Sequence, residues 1–574
     1  MADEFETLAD LLEFQGANSF RVRAYRNAAR VIRGWLQPLS SRLADPTFDP
    51  TSIEGIGEAV GEKMRALVLD GAIPQLEELR RQLPDGVLDL LRVPGLGPKK
   101  AATLFQELKI DSLDKLEQAC QNQELRKLKG FGAKTETTIL EGLSIARSSQ
   151  QRLLRSDAEA IACRLRDHLD GVAHEKLEFA GSLRRGRETV GDLDLIVVAP
   201  DGAAVMDRLA EFDDVREVIA RGETKMSVRL RNGFQIDLRV VPDESFGSAL
   251  QYFTGSMAHN VKVRAHAKQL GLKINEWGVF RVEGESETWI AGRTEADVYE
   301  AIGWPWFPPE LREARLEFQD SRPAELPPLI ELSDLRGDLH MHTTATDGTA
   351  SIEEMARGAY DLGLRYIVIS DHSQRVAMAR GLDEERLLAQ WREVDELDRA
   401  WSQELGFRIL KGIECDILED GTMDLSDEVL AQADWVTASI HYGQNQPREQ
   451  ITERMLNAVR HPSVDVIAHP TGRLLLRREP YEVDLPAVMQ ACVEHGKALE
   501  LNANPHRLDL DDVQVARCAE LGIPVTISSD AHSVSGLTVL RCGVIQARRG
   551  GLTANDVLNT RDADGFIAWK RNRR

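Results

Sequence analysis

Asp192 and Asp194, one residue apart in Gly191-Asp-Leu-Asp-Leu-Ile-Val-Val198, are the side chains of this 574-residue sequence best placed to do chemistry. In an extended segment side chains alternate, so both carboxylates face one way while Leu193, Leu195, Ile196 and Val197 supply apolar packing. A third acid, Asp237 in Gln235-Ile-Asp-Leu-Arg-Val-Val241, sits in another strand-like run and completes a set. Clustered carboxylates repel one another and have raised pKa values unless cations neutralise them. Two Mg²⁺ (or Mn²⁺) ions on Asp oxygens are the natural partner, able to activate a hydroxyl and to stabilise a leaving pyrophosphate. Just upstream runs Gly181-Ser-Leu-Arg-Arg-Gly186. There Gly181 lets backbone approach a phosphate, Ser182 offers a hydroxyl, and the guanidinium groups offer forked donors. A lone D-x-D also describes a solvated strand edge; joined to this turn it points to a nucleotidyl-transfer palm.

A second set of reactive residues follows Arg336, where apolar strand-like runs alternate with helical stretches as in a parallel α/β barrel. Nearly every run ends in a metal-ligand type. His340 and His342 stand two apart with Asp347 after them; Tyr366-Ile-Val-Ile-Ser ends in Asp371-His372. The runs beginning at Arg408, Trp435 and Val464 end in Glu414, His441 and His469, and the run from Pro524 leads to Asp530 and His532. Residues at the carboxyl ends of barrel strands converge on one mouth. One such histidine is more often a satisfied polar group than a ligand; six of them beside three acids are not explained by packing.

On these residues the chain resembles the bacterial family X DNA polymerases (DNA polymerase beta-like) with a C-terminal PHP (polymerase and histidinol phosphatase) domain. The segment Tyr252-Phe-Thr-Gly-Ser256, then Asn260 and Arg264, matches that family's contact with the incoming nucleotide and the template. The resemblance implies that Tyr252 and Phe253 flank the sugar, Asn260 reads the minor-groove edge of the base and Arg264 checks the template. It assigns nucleotide binding to Arg152, Gly181, Ser182, Arg185, Gly191 and Gly255 as well, and catalysis to Asp192, Asp194 and Asp237. Met257 stands where the best-known member has a charged residue. For the barrel, the resemblance implies a distorted seven-stranded (β/α)7 fold and a trinuclear site held by His340, His342, Asp347, His372, Glu414, His441, His469, Asp530 and His532. Mn²⁺, Zn²⁺ or Fe suit these donors. Asp371 is expected to orient a ligand from outside.

Stepping N-terminally, residues 5–145 read as short helices broken by three Gly-apolar-Gly turns: Gly55-Ile-Gly57, Gly95-Leu-Gly97 and Gly130-Phe-Gly132. Glycines at a helix start expose N–H groups to a DNA phosphate without reading sequence; the three turns resemble helix-hairpin-helix motifs. Phe20-Arg-Val-Arg-Ala-Tyr25-Arg26 resembles the family's 5′-phosphate site, with Arg21, Tyr25 and Arg26 as contacts. Lys63 falls at the family's Schiff-base lysine, implying 5′-deoxyribose phosphate lyase chemistry; as a plain sequence position it is equally a helix-surface lysine, and Ala59 replaces a supporting lysine.

The expected architecture is multidomain, with a helical N-terminal region, an α+β palm and the barrel. Expected boundaries are a helical DNA-binding domain at 1–85, a fingers-like domain at 86–150 and the palm at 151–240. A nascent-base-pair subdomain follows at 241–318, a Pro-rich linker at 319–335 and the PHP domain at 336–574. A formal charge of −22 argues against wrapping nucleic acid over the whole surface, so any grip on DNA is local. Six cysteines without C-x-x-C pairing predict reduced thiols. No apolar run spans a membrane and the acidic N-terminus lacks a secretory signal, so a soluble, cytoplasmic, nucleoid-associated monomer is expected. The basic tail from Lys570 is expected to be solvated. Expected partners are gapped or primer-template DNA and deoxynucleoside triphosphates. The expected function is gap filling in base excision repair, with 3′–5′ exonuclease, 3′-end processing and abasic-site cleavage in the barrel. Two alternatives stand: a barrel acting on a small phosphoester such as pyrophosphate, and an N-terminal half that binds gaps without synthesis.

Overall fold

In the computed structural model, residues 2–33, 43, 48–53, 56–69, 72–84, 86–91, 93, 96–128, 130–132, 135–140, 142–143, 152–319, 322–324 and 327–573 are described. The chain forms two compact units, residues 1–150 and, apart from two short loops, the remainder.

The first unit is helical. Phe5, Leu8, Ala9 and Leu12 recur at three- and four-residue spacing along helix Ala2–Phe14, so one face is apolar and fully covered. Val22, Tyr25 and Ala29 do the same on Ser19–Arg33. These faces share one core with Met64, Leu76, Leu104 and Leu116 from the later helices. Helix starts carry the expected punctuation: Pro98 occupies the first turn after Gly97, and Ser112 Oγ accepts from Lys115 N.

The second unit opens with a five-stranded mixed sheet in the order 176–179, 192–198, 235–240, 225–230, 215–221. Strands Asp192–Val198 and Gln235–Val240 run parallel, pairing Asp194 with Asp237. Alternation divides the Asp192 strand between two environments. Leu193, Leu195 and Val197 enter the core beneath helices Arg155–Leu169 and Gly202–Ala210. Ile196 and Val198 face Phe246, Ala249 and Leu250 of helix Phe246–Thr254. One face of the strand is therefore acidic at its start and apolar beyond, which anchors the acids beside that helix. The next subdomain packs helix Met257–Gln269 and an antiparallel sheet of strands 272–275, 278–283 and 286–291 around Val263, Tyr299, Phe307 and Phe318.

Seven parallel strands then pair in sequential order: Gly337–Asp338, Tyr366–Ile369, Arg408–Asp416, Trp435–Ser439, Val466–Ile467, Ala498–Asn502 and Val525–Ser528. Backbone bonds Asp530 N→His340 O (2.9 Å) and His342 N→Ala531 O (2.8 Å) join the last strand to the first. Both faces of the strands are buried, and Tyr366–Ile369 reads as an unbroken apolar run for that reason. Tyr366, Trp435, Val466 and Ala498 begin their strands and cluster with Phe566, so the C-terminal helix Ala563–Arg573 plugs one end of the barrel. The tail is thus not solvated at Lys570, whose Nζ donates to Asp465 Oδ2 at 2.8 Å in a buried ion pair. The Pro-rich stretch is anchored too: Ile330 is buried and its N–H donates to Leu552 O.

Candidate active sites

Parallel pairing brings Asp237 beside Asp194, and the two-residue period puts Asp192 on the same face. A cavity of about 630 Å³ opens over Asp192 and Asp194, also lined by Arg152, Gly181, Ser182, Arg185, Gly191, Tyr252, Phe253, Gly255, Asn260 and Arg264. Burial, then the charges of Asp192 and Asp237, push the Asp194 carboxyl up to about 7. Asp192 moves up for the same reasons, burial first and Asp237 next. Such a shift signals missing positive charge, and an all-oxygen donor set suits a hard divalent cation. Asp237 accepts from Gln235 Nε2 at 3.0 Å and from the Ser227 hydroxyl.

Gly181 adopts φ +62°, and a Cβ there would lie 2.5 Å from Asp194 Oδ2, so the turn can press its backbone on the acid only as glycine. Arg152 is fixed on Thr189, donating to Oγ1 at 2.9 Å and to the carbonyl at 2.6 Å. Arg185 reaches the cavity; Arg184 does not act as a phosphate fork. Its guanidinium is spent on both Glu295 oxygens at 2.7 Å, with Thr254 Oγ1 as a further acceptor. Gln251 donates to Asn260 Oδ1 (2.8 Å) and Asn260 Nδ2 donates to Tyr252 O (2.8 Å), which holds that amide in place. Arg264 lies over the Tyr252 ring at 5.8 Å and Arg239 over Phe253 at 4.0 Å.

At the barrel's other end, all nine predicted ligands converge. Three groups share ligand-atom neighbourhoods: His342, Asp347, His372 and His532; His340, His342 and Asp530; His372, Glu414 and His441. Glu414 is the hub, 2.7 Å from His372 Nδ1, 3.0 Å from His469 Nε2 and 3.4 Å from His441 Nε2. Opposing burial, the charges of His441, His372 and His340 hold its carboxyl well below the ordinary range. Burial lowers the His372 imidazole, but Glu414 and Asp347 outweigh it and raise it to about 10. Acids and imidazoles thus neutralise one another across the basin, and metal binding there would displace the imidazole protons. The buried atoms His340 Nε2, His342 Nδ1 and His469 Nδ1 find no hydrogen-bond partner among the described residues, which fits a multi-metal centre.

Two residues that orient these ligands were not anticipated. Glu500 accepts from His340 Nδ1 at 2.7 Å, and Asp416 faces His441 Nδ1 at 2.9 Å, each fixing an imidazole from behind. Asp416 closes strand Arg408–Asp416, the signal that identified the ligands themselves, whereas Glu500 lies within strand Ala498–Asn502, which ends without histidine and escaped notice. Asp371 does not face a ligand ring. It accepts from Thr343 N (2.8 Å), Thr343 Oγ1 (2.6 Å) and Gln390 Nε2 (2.6 Å), bracing the loop between His342 and Asp347.

In the helical unit, Gly55 and Gly95 lie outside the described residues. Gly57, Gly97, Gly130 and Gly132 are exposed, and a Cβ on any of them would meet nothing within 4 Å. Packing does not require these glycines; the φ of +90° at Gly130 does call for one, while Gly57, Gly97 and Gly132 leave room for close approach of an outside group. Arg21 is exposed, while Tyr25 is buried and Arg26 is paired with Asp10 (3.0 Å) and Glu13 (2.6 Å). Lys63 Nζ stands 5.6 Å over the Tyr25 ring and donates to Ala59 O at 3.2 Å. Among the described residues no helix is long and apolar enough to cross a membrane.

Comparison with known proteins agrees with this layout. A helix-hairpin-helix domain matches residues 1–73, and a tandem form matches 49–109 and 87–144. DNA polymerase beta thumb matches 249–313, and the PHP domain matches 338–504, short of Asp530 and His532. The chain is 41% identical over 574 residues to DNA polymerase/3'-5' exonuclease PolX of Bacillus subtilis (strain 168), covering 99% of this chain and 98% of that one. It is 26% identical to DNA polymerase lambda of Rattus norvegicus over 341 residues, 54% of this chain and 56% of that one. A probable phosphatase of Thermoanaerobacter sp. (strain X514) is 31% identical over 234 residues, 39% of this chain and 89% of its own.

Proposed function

The chain belongs to the bacterial family X DNA polymerases that carry a C-terminal PHP domain, and from that premise we propose that it fills short gaps during DNA repair and processes 3′ ends. The observation that carries the polymerase reading is the pairing of Asp194 with Asp237 beneath a cavity edged by Arg185 and Arg152. Asp192, Asp194 and Asp237 would hold two Mg²⁺ ions, which supply a Lewis acid at the primer 3′-hydroxyl and the triphosphate. Arg152, Ser182 and Arg185 bind the phosphates, with Gly181, Gly191 and Gly255 giving backbone access. Tyr252 and Phe253 flank the sugar, Asn260 meets the base edge and Arg264 the template side. The glycine turns hold duplex backbone, and Arg21 and Arg26 face a 5′-phosphate, with the buried Tyr25 reaching it only if its ring turns outward. Arg26 must then leave its acidic partners to do so. Lys63 is the lyase nucleophile in this reading.

The barrel, by the same proposal, hydrolyses phosphodiesters at DNA 3′ ends and at abasic sites, with three Mn²⁺, Zn²⁺ or Fe ions on its nine ligands. Asp416 and Glu500 keep His441 and His340 in the orientation a metal needs. We assign the domains to residues 1–85, 86–150, 151–240, 241–318 and 336–574, and the enzyme acts on DNA in the cytoplasm as a single chain. A second reading, hydrolysis of a small phosphoester such as pyrophosphate, is favoured by the barrel's likeness to a probable phosphatase.

A one-nucleotide-gapped duplex tests both readings, in Mg²⁺ and then Mn²⁺, with and without nucleotides. Asp192→Ala/Asp194→Ala is expected to lose only extension, and His340→Ala/His342→Ala only 3′ degradation. Absence of incorporation by the wild type ends the polymerase reading. Degradation that survives the histidine change, or preference for a small phosphoester in direct competition, ends the nuclease reading.

A further inference from the structure

The turn that carries Arg185 is buttressed by the barrel. Gly186, at φ +68°, lies so near helix Leu540–Arg549 that a Cβ there would stand 2.4 Å from Ile545 Cγ2. From the same helix Arg549, only 1% exposed, donates to the Arg185 carbonyl at 2.6 Å and to Glu313 Oε1 at 3.1 Å. Glu313 Oε1 also accepts from Arg185 Nε at 3.1 Å, and Thr254 O accepts from Arg185 Nη1 at 2.5 Å. Two acceptors on two edges fix the guanidinium plane, and its remaining donors are left for the cavity that Arg185 lines. Asp512 accepts from Arg549 Nη2 at 2.6 Å, so the buried arginine is held from its own domain as well.

We propose that Arg549, a barrel residue, is a positioning residue of the polymerase site, setting the Arg185 guanidinium for the triphosphate through the Arg185 carbonyl and through Glu313. This rests on the reading of the palm cavity as the nucleotide site. Nucleotide affinity in the palm then depends on a helix of the other catalytic domain, and the barrel is part of the polymerase's phosphate grip.

The test is steady-state gap filling by the full-length protein, with KM and kcat separated. Arg549→Ala is expected to raise KM for the nucleotide about tenfold, the worth of one charge-assisted hydrogen bond, with kcat falling far less. Arg549→Lys recovers part of that loss, because the charge is kept and the fork is not. Glu313→Ala costs less in the Arg549→Ala background than in the wild type, since the two act on one guanidinium. Gly186→Ala leaves all charges in place but forces the turn off the helix; it raises KM too, and decides the matter if Arg549→Ala does not fold. An unchanged KM in the folded variants, or strict additivity with Glu313→Ala, overturns the proposal. Arg185→Ala separates the two levels: if it leaves KM unchanged the cavity reading falls, whereas if it raises KM while Arg549→Ala does not, only this inference falls.

Discussion

Asp194 is the residue whose chemistry is most exposed to test. Its carboxyl is raised to about 7, by burial and then by the charges of Asp192 and Asp237. A folded-state value above the unfolded one means that the native protein binds more protons between about pH 4 and 7, so stability falls as pH rises through that window without metal. Asp194→Asn is therefore expected to melt higher than the wild type at pH 8 in chelator, by roughly 2 °C, and no higher at pH 4. The same variant loses incorporation. A lower melting temperature at pH 8 would show that hydrogen bonding, not repulsion, governs this acid. In the barrel, Glu500→Gln and Asp416→Asn remove the charges behind His340 and His441. Each is expected to weaken metal affinity by roughly 10–100-fold, read by metal content after dialysis.

Elements place these residues by simple periodicities. Two adjacent parallel strands suffice to bring three acids together, because register pairs Asp194 with Asp237 and alternation adds Asp192. The barrel repeats one rule seven times, a buried apolar strand with a polar residue at its carboxyl end. The acid pairing and six of the seven barrel strands were legible in the sequence; Ala498–Asn502, with no histidine at its end, was not. The helix-hairpin-helix turns follow another rule, glycine where a helix begins. Because a Cβ at Gly57, Gly97 or Gly132 enters open space, the triple alanine variant is expected to fold normally. It should bind gapped duplex about tenfold more weakly at fixed salt, read by fluorescence anisotropy beside a melting curve. Equal affinity for both proteins would remove these turns from the DNA contact.

Across the whole molecule, palm and barrel share one compact unit, tied by ion pairs that sequence distance conceals. Arg473 Nη2 meets Glu188 Oε1 at 2.5 Å and Arg548 Nε meets Glu310 Oε1 at 2.7 Å. Ions bound in the histidine basin should therefore stabilise the polymerase fold as well, by about 2.7 kcal/mol for an ion at a hundredfold excess over its Kd. Calorimetry is expected to show one transition for this unit that rises with Mn²⁺, and a smaller rise in His340→Ala/His342→Ala, which keeps only the palm acids to bind the ion. A palm transition that ignores Mn²⁺ while the barrel transition moves would show that the contacts do not couple the domains.

The sequence by itself determined which residues could do chemistry: the acids of two strands, the phosphate turn, the strand-end histidines and the glycine turns. All are short-range signals, set by the periods of strand and helix and readable within about ten residues. Only the tertiary structure decided how the arginines are used, because a guanidinium is committed by whatever acid the fold brings within reach. Arg184 goes to Glu295, Arg26 to Asp10 and Glu13, and Lys570 to Asp465, while Arg185 is left facing the cavity. The same reason hid Glu500, Asp416 and Arg549, whose partners lie 160, 25 and 364 residues away in the chain.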